Sequence, residues 1–317
     1  MAIALLLQST PVAAEWHSST EAIMGTRVHA EIWNEDAQAA QGALAAVMTE
    51  MRRIDELMSP YKNDSELSRL NQSGYAQPTT VSRELFELLQ RSNQISELSD
   101  GAFDITYASA GRFYDYREGK KPSDAQLAKT IRAIDYGHLQ LDASRYTVRY
   151  THEGVYVDLG GIAKGYAVDR CIELLLARGI NQAMVSAGGD SRILGDRLGQ
   201  PWSVGIKDPR SDAMIAVLPL ENTAVSTSGD YERFFIEDGV RYHHIIDPGT
   251  GESSYASRSV TVLGSEATFT DALATSVFIL GVSKGLALIN RLSGIDAVII
   301  DDDGKLHFSD DLLQVSD

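Results

Sequence analysis

The sequence predicts an α+β protein in which mixed sheets with flanking helices enclose a cleft. Three observations carry that expectation. Helical and strand-like segments alternate irregularly along the 317 residues, without repeats and without the even βαβ rhythm of a doubly wound sheet. Short strand-like runs dominate from about Arg145 to Leu263, with helical patterns on either side. No Pro/Gly/Ser-rich linker divides 15–317, so that stretch reads as one domain.

In chain order, residues 1–14 open with the apolar run Ala2 to Leu7, then Pro11 and Val12-Ala13-Ala14. This resembles a signal-peptide tail cleaved near Ala14, lacking its basic leader and too short to span a membrane. The expectation is export to the periplasm; the alternative is a frayed N-terminus on a cytoplasmic protein. No cysteine follows the run, so the lipoprotein form is not expected. Asp36 to Met58 places Ala40, Leu44, Val47, Met48, Met51, Ile54 and Met58 on one helical stripe, ended by Pro60. Ser82 caps a second helix, through Leu85, Leu88, Leu89, Ile95 and Leu98, that stops before Gly101. Val155 and Val157 alternate as a strand; Ile162, Tyr166, Val168, Cys171, Ile172 and Leu175 then follow at roughly helical spacing until Gly179. Arg241 to Ile246 reads as a strand ended by Pro248-Gly249-Thr250-Gly251. Helices near Ser265 to Leu280 and Ser283 to Ser293 precede the last strands, Ala297 to Ile300 and Lys305 to Phe308.

Composition narrows the function without naming it. A hydrophobic content of 44% over this length supports a substantial core. The formal charge of −16 argues against nucleic acid and against anionic lipid, both of which want a basic face. Cys171 is the single cysteine, which excludes an intramolecular disulfide and a cysteine-based zinc cluster. It reads as a small buried residue.

The stretch Val157-Asp158-Leu159-Gly160-Gly161-Ile162-Ala163-Lys164-Gly165 ends a strand, turns on adjacent glycines and delivers a lysine to a helix start. Free amides, the helix dipole and Lys164 together suit a phosphate, although a plain strand-to-helix connection has the same look. The spacing matches neither the dinucleotide fingerprint nor the P-loop. His243 and His244 lie on opposite faces of their strand, so one should point inward. Asp271 and Thr275, four residues apart on one helix face, suit Mg²⁺, or else are a helix-start carboxylate and a hydroxyl bonded to the preceding turn.

Ordered blocks then carry a family resemblance over nearly the whole chain. They are Met24-Gly25-Thr26, Met58-Ser59-Pro60-Tyr61 running into Ser65 to Asn71, Gly101 to Thr106, Asp158 to Gly165, Ser186-Ala187-Gly188-Gly189-Asp190, Ala224 to Gly229, His244 to Pro248, and Asp271 to Thr275. The sequence resembles the ApbE-type flavin transferases, FAD:protein FMN transferases, with a T-fold-like arrangement around a cofactor cleft. The resemblance implies that FAD is bound with Mg²⁺ and that its FMN moiety moves to a threonine or serine of an acceptor protein, releasing AMP. The implied acceptor is a membrane-associated or exported redox protein.

What the resemblance implies for single residues follows the matched blocks. Met24 and Tyr61 would wall the flavin or adenine, as a thioether and an aromatic face can, or else be core. Ala102, Phe103 and Asp104 match a segment that contacts FAD, with Asp104 able to accept from ribose or adenine, or to serve as a turn carboxylate. Asp158, Lys164 and Ile245 would contact the cofactor. Gly161, through its carbonyl, would join Asp271 and Thr275 around Mg²⁺. His244 is the implied general base, an imidazole titrating near neutral pH just before Ile245-Ile246-Asp247-Pro248. Ser226, Thr227 and Ser228 would donate to phosphate or form a polar turn. The same site with water as nucleophile would make an FAD pyrophosphatase, and without turnover a flavin carrier.

Overall fold

The computed structural model describes residues 15–211 and 213–314. The expected signal-peptide tail, 1–14, lies outside the described residues. The centre is an eight-stranded sheet whose strands are neighbours in space in the order they occur in the chain. They are β1 (Glu15–Ile23), β2 (Thr26–Asn34), β3 (Ala183–Ala187), β4 (Asp190–Leu194), β5 (Ala224–Gly229), β6 (Ser259–Gly264), β7 (Asp296–Ile300) and β8 (Leu306–Phe308). The α+β class holds, with every pairing in this sheet antiparallel.

Insertions between these strands supply the helices. Helix α1 (Ala37–Met58) starts where Asp36 Oδ1 accepts from the amides of Gln38 and Ala39, at 2.8 and 3.1 Å. Its expected stripe is buried, with Ala43 added to it. Helix α2 (Glu66–Ser73) is capped by Ser65, and α3 (Arg83–Leu98) by Ser82, whose hydroxyl accepts from the Leu85 amide at 3.2 Å. Helix α4 (Ala163–Ala177) stops at Gly179, which takes a φ of +78° that favours glycine. Helix α5 runs over Ala267–Ile289 but breaks at Gly281 (φ 71°, ψ −175°), between the two helices expected from sequence. Helices α1, α4 and α5 pack side by side on the sheet, α1 over β1 and β2, α4 over β3 and β4, α5 over β5 to β7. By length and apolarity α5 could cross a membrane; here it is a core helix with Leu273, Val277 and Phe278 buried against Val260, Val262 and Ile299.

Residues 155–159 are extended but pair with no strand. A side chain does the work of the missing neighbour. Asn71 accepts from the Val157 amide at 2.8 Å and donates to the Val157 carbonyl at 2.9 Å, while Tyr150 Oη donates to Asn71 Oδ1 at 3.0 Å. The Asp158 amide donates to the Ile105 carbonyl at 3.0 Å. The strand expected from Val155 and Val157 is therefore an extended segment zipped by one amide group, a device that hydrophobic alternation cannot show. Asn71→Ala leaves both Val157 groups unpaired in a half-buried setting and should cost about 2–4 kcal/mol in urea unfolding at unchanged m-value. A loss under about 0.5 kcal/mol would mean that water replaces the amide.

Candidate active site

The Gly160-Gly161 turn, the first turns of α4 and α5, and the β3–β4 turn converge on a group of buried charges. Helix α5 is set in place from α4: Asp169 accepts from the amides of Ala267 and Thr268, at 2.9 and 2.8 Å, and from the Thr268 hydroxyl at 2.6 Å. Arg192 of β4 holds the same carboxylate at 2.7 Å. A neighbouring helix thus caps α5, whose preceding residue Glu266 makes no side-chain cap. Gly165 lets the helices meet, since a Cβ there would lie 2.1 Å from the Ala267 carbonyl oxygen and 2.9 Å from Asp271 Cβ.

Asp271 is buried at this crossing. Its Oδ2 accepts from the Gly165 amide at 3.0 Å and lies 3.2 Å from Lys164 Nζ. The same ammonium lies 2.8 Å from Asp190 Oδ2 and donates to the Gly160 carbonyl at 3.0 Å. Asp190 is only 2% exposed, so its ion pair with the ammonium is buried. Burial and the adjacent Asp190 push the Asp271 carboxyl up to about 7, against the pull of Lys164. Lys164 is held charged, its ammonium stabilised above the usual lysine range by the two carboxylates despite burial.

Thr275 sits one turn beyond Asp271, its hydroxyl 3.3 Å from that of Ser228 on β5. A Cβ on Gly161 would come within 3.4 Å of Thr275 Oγ1 and 3.2 Å of the Phe103 ring. Gly161, Asp271 and Thr275 therefore share one locality. Ser226 and Ser228 both face α5, Ser226 bonded to Thr270 at 2.8 Å, while Thr227 turns the other way to Thr261 at 2.9 Å. They form a strand and not a polar turn.

The other side of the Gly-Gly turn carries Asp158. Its Oδ1 accepts from the Gly160 amide at 2.6 Å, and burial raises its carboxyl although Arg233 and Lys164 pull it down. Tyr61 stands beside it, 82% exposed, its phenol raised chiefly by the Asp158 charge. An aromatic face so exposed has no core role to explain it. Met24 is half-buried in the β1–β2 turn at a φ of 54°. Ala102 and Phe103 are buried, and both oxygens of Asp104 are already bonded, Oδ1 to the Thr106 amide and hydroxyl at 2.7 and 2.6 Å, Oδ2 to the Tyr136 amide at 2.8 Å. That makes Asp104 the cap of a short 3₁₀ turn.

The expected strand Arg241 to Ile246 breaks into two, Val240–His243 paired with Phe234–Glu237, and Ile246–Asp247 paired with Glu252–Ser253. His244 and Ile245 lie between them. His243 is the inward residue, 1% exposed, bonded to the Ser254 carbonyl at 2.6 Å and edge-on to Phe278. His244 is half-buried, and its Nδ1 has no hydrogen-bond partner. Burial first, then Arg233, His243 and Lys164, lower its imidazole to about 3. The neutral titration expected from sequence is thus absent from the ligand-free protein. Ile245 is buried, its amide directed at His243 Nδ1 at 3.3 Å.

A family model described as the ApbE family matches residues 24–299. The chain belongs to the ApbE family. Among curated members, the FAD:protein FMN transferase of Treponema pallidum (strain Nichols) is 33% identical, with 92% of this chain and 86% of that protein covered. That of Vibrio cholerae is also 33% identical, over 82% and 80%. Among solved structures, the ApbE protein of Thermotoga maritima superposes with a TM-score of 0.87 at 32% identity, covering 95% of this chain and 99% of that one. The flavin transferase ApbE from Vibrio cholerae gives 0.84 at 30%, with the same coverage.

Several residues around this candidate site went unassigned in the sequence. Asp190 closes the quoted block Ser186 to Asp190, and Asn71 closes another, so position within a matched block was the available signal. Tyr107, packed 3.7 Å from where a Gly160 Cβ would lie, and Arg233 had none.

Proposed function

We propose that the chain transfers the FMN moiety of FAD to a threonine or serine hydroxyl of an acceptor protein. The acceptor oxygen forms a bond to the flavin-side phosphorus, the anhydride bond breaks, AMP leaves, and the hydroxyl proton passes to a base. Membership of a family whose curated relatives carry that activity, over 24–299, is the observation that carries the reading. The site supports it with a glycine turn, a paired lysine, buried carboxylates and an unpartnered imidazole nitrogen.

Mg²⁺ fits the donor set. The Gly161 carbonyl, the Asp271 carboxylate and the Thr275 hydroxyl are hard oxygens, and the buried carboxyls of Asp271 and Asp190 share a single ammonium. When bound, the ion would polarise the pyrophosphate and ease departure of AMP. The protein's own part is alignment. Gly160 and Gly161 leave room for phosphate at the main chain, Tyr61 offers a ring face, and His244, whose buried Nδ1 has no partner, is the imidazole proposed to take the hydroxyl proton.

We further propose an exported chain acting on a membrane-associated or exported redox protein, as the tail at 1–14 suggests. Mass spectrometry of a candidate acceptor incubated with enzyme, FAD and Mg²⁺ should show a gain of FMN less one water, with one AMP per acceptor. AMP and free FMN without that gain, for every exported redox acceptor tried, would convert the reading to FAD hydrolysis.

A further inference from the structure

Positive charge is scarce around this cleft, because the ammonium of Lys164 is already committed to Asp190 and Asp271. A pyrophosphate still needs a cation that no carboxylate holds. Arg233 is placed to be one. It lies on the loop between β5 and the Phe234–Glu237 strand, is exposed, and makes no ion pair among the described residues. Its guanidinium donates from Nη2 to the Gly25 carbonyl at 3.4 Å, in the turn that carries Met24. Its carbonyl accepts from the His244 amide at 3.1 Å. One residue therefore ties the Met24–Gly25 turn to the implied base. The charges of Arg233 and Lys164 are also both felt by Asp158 and by His244.

We propose that the Arg233 guanidinium grips the phosphates of the dinucleotide from beside the Met24–Gly25 turn. The proposal rests on FAD being the substrate. A planar guanidinium has five donors in a fixed fork, and one long bond to Gly25 leaves the others for two phosphate oxygens. Lysine in its place would keep the charge and lose the fork. A plain solvated arginine that only steadies the turn would touch no ligand, and the two roles separate by what the ligand carries.

The test compares FAD, ADP and riboflavin on the wild-type chain, Arg233→Gln and Arg233→Lys, by calorimetry at low and at moderate salt. Arg233→Gln should weaken FAD and ADP by about tenfold or more and flatten the salt dependence of FAD binding, with riboflavin and the melting temperature unmoved. Arg233→Lys should recover part of that loss. Unchanged FAD affinity in Arg233→Gln, or an equal loss for riboflavin, would overturn the assignment, the second pointing to the Met24 turn instead. A wild-type chain that binds riboflavin but neither FAD nor ADP would sink the FAD reading and this one with it, whereas transfer with normal FAD binding in Arg233→Gln sinks this one alone.

Discussion

Asp271→Asn is expected to abolish Mg²⁺-dependent transfer, by about a hundredfold at the least, while making the metal-free protein more stable above neutral pH. The two effects share one cause. Asp271 is buried beside Asp190, so its charged form is disfavoured and its carboxyl is pushed up from 3.8 to about 7. A carboxyl whose folded pKa lies above its unfolded value stabilises the fold fully below the unfolded pKa, and that contribution is lost as pH rises through the folded one. The stability is therefore lost as pH rises from the ordinary carboxylate range toward neutrality. Asparagine carries no charge to desolvate, can still accept from the Gly165 amide, and leaves Lys164 its ion pair with Asp190. Thermal melts without metal at pH 5 and pH 8 should therefore show the variant gaining on the wild type at the higher pH. Added Mg²⁺ should raise the melting temperature of the wild type alone. Mg²⁺-dependent turnover at the wild-type rate in the variant would remove Asp271 from the metal site.

How much of this the sequence disclosed depends on how local each cause is. Helices α1 and α3 were legible because stripe, cap and stop lie within one segment: Asp36 or Ser82, then the apolar positions, then Pro60 or Gly101. The break at Gly281 was legible for the same reason. Residues 155–159 were misread as a strand because the partner of Val157 is the side chain of Asn71, far back in the chain. Strand β1 escaped notice because polar residues dilute its alternation at the sheet edge; β2, one strand in, does alternate through Val28, Ala30 and Ile32, and that signal was available. Asp271 and Thr275 were legible as a pair four residues apart on one helix face, Gly161 joined them only through the family resemblance, and no spacing could have brought α4 and α5 together. That approach depends on Asp169 capping a helix other than its own and on the bare Cα of Gly165. Electrostatics were the least legible. Lys164 looked like a free cation in the sequence and is paired with two carboxylates in the fold; His244 looked like a neutral-range base and is depressed to about 3.

That depression makes His244 the source of a sharper expectation than a simple loss of rate. A base whose conjugate acid has a pKa near 3 is always unprotonated at pH 7 but pulls weakly on a hydroxyl proton. After burial, the causes that lower it are the charges of Arg233, His243 and Lys164. An anionic pyrophosphate bound near Arg233 and Lys164 would cancel much of their repulsion, so the imidazole should rise toward neutrality in the complex. The acid limb of kcat/KM, which reports the free enzyme, should then lie well below 6.5, and that of kcat, which reports the complex, should lie higher. With saturating Mg²⁺, both limbs assigned to His244 should vanish in His244→Gly, along with about a hundredfold or more of the transfer rate. FAD and Mg²⁺ affinities should stay within a few-fold, because the unpartnered Nδ1 holds nothing in the resting protein. Coincident limbs for kcat and kcat/KM would show that the bound anion does not retune this imidazole. If FAD affinity collapses with the rate, His244 is a binding or structural residue, and the proton leaves the acceptor hydroxyl by another group.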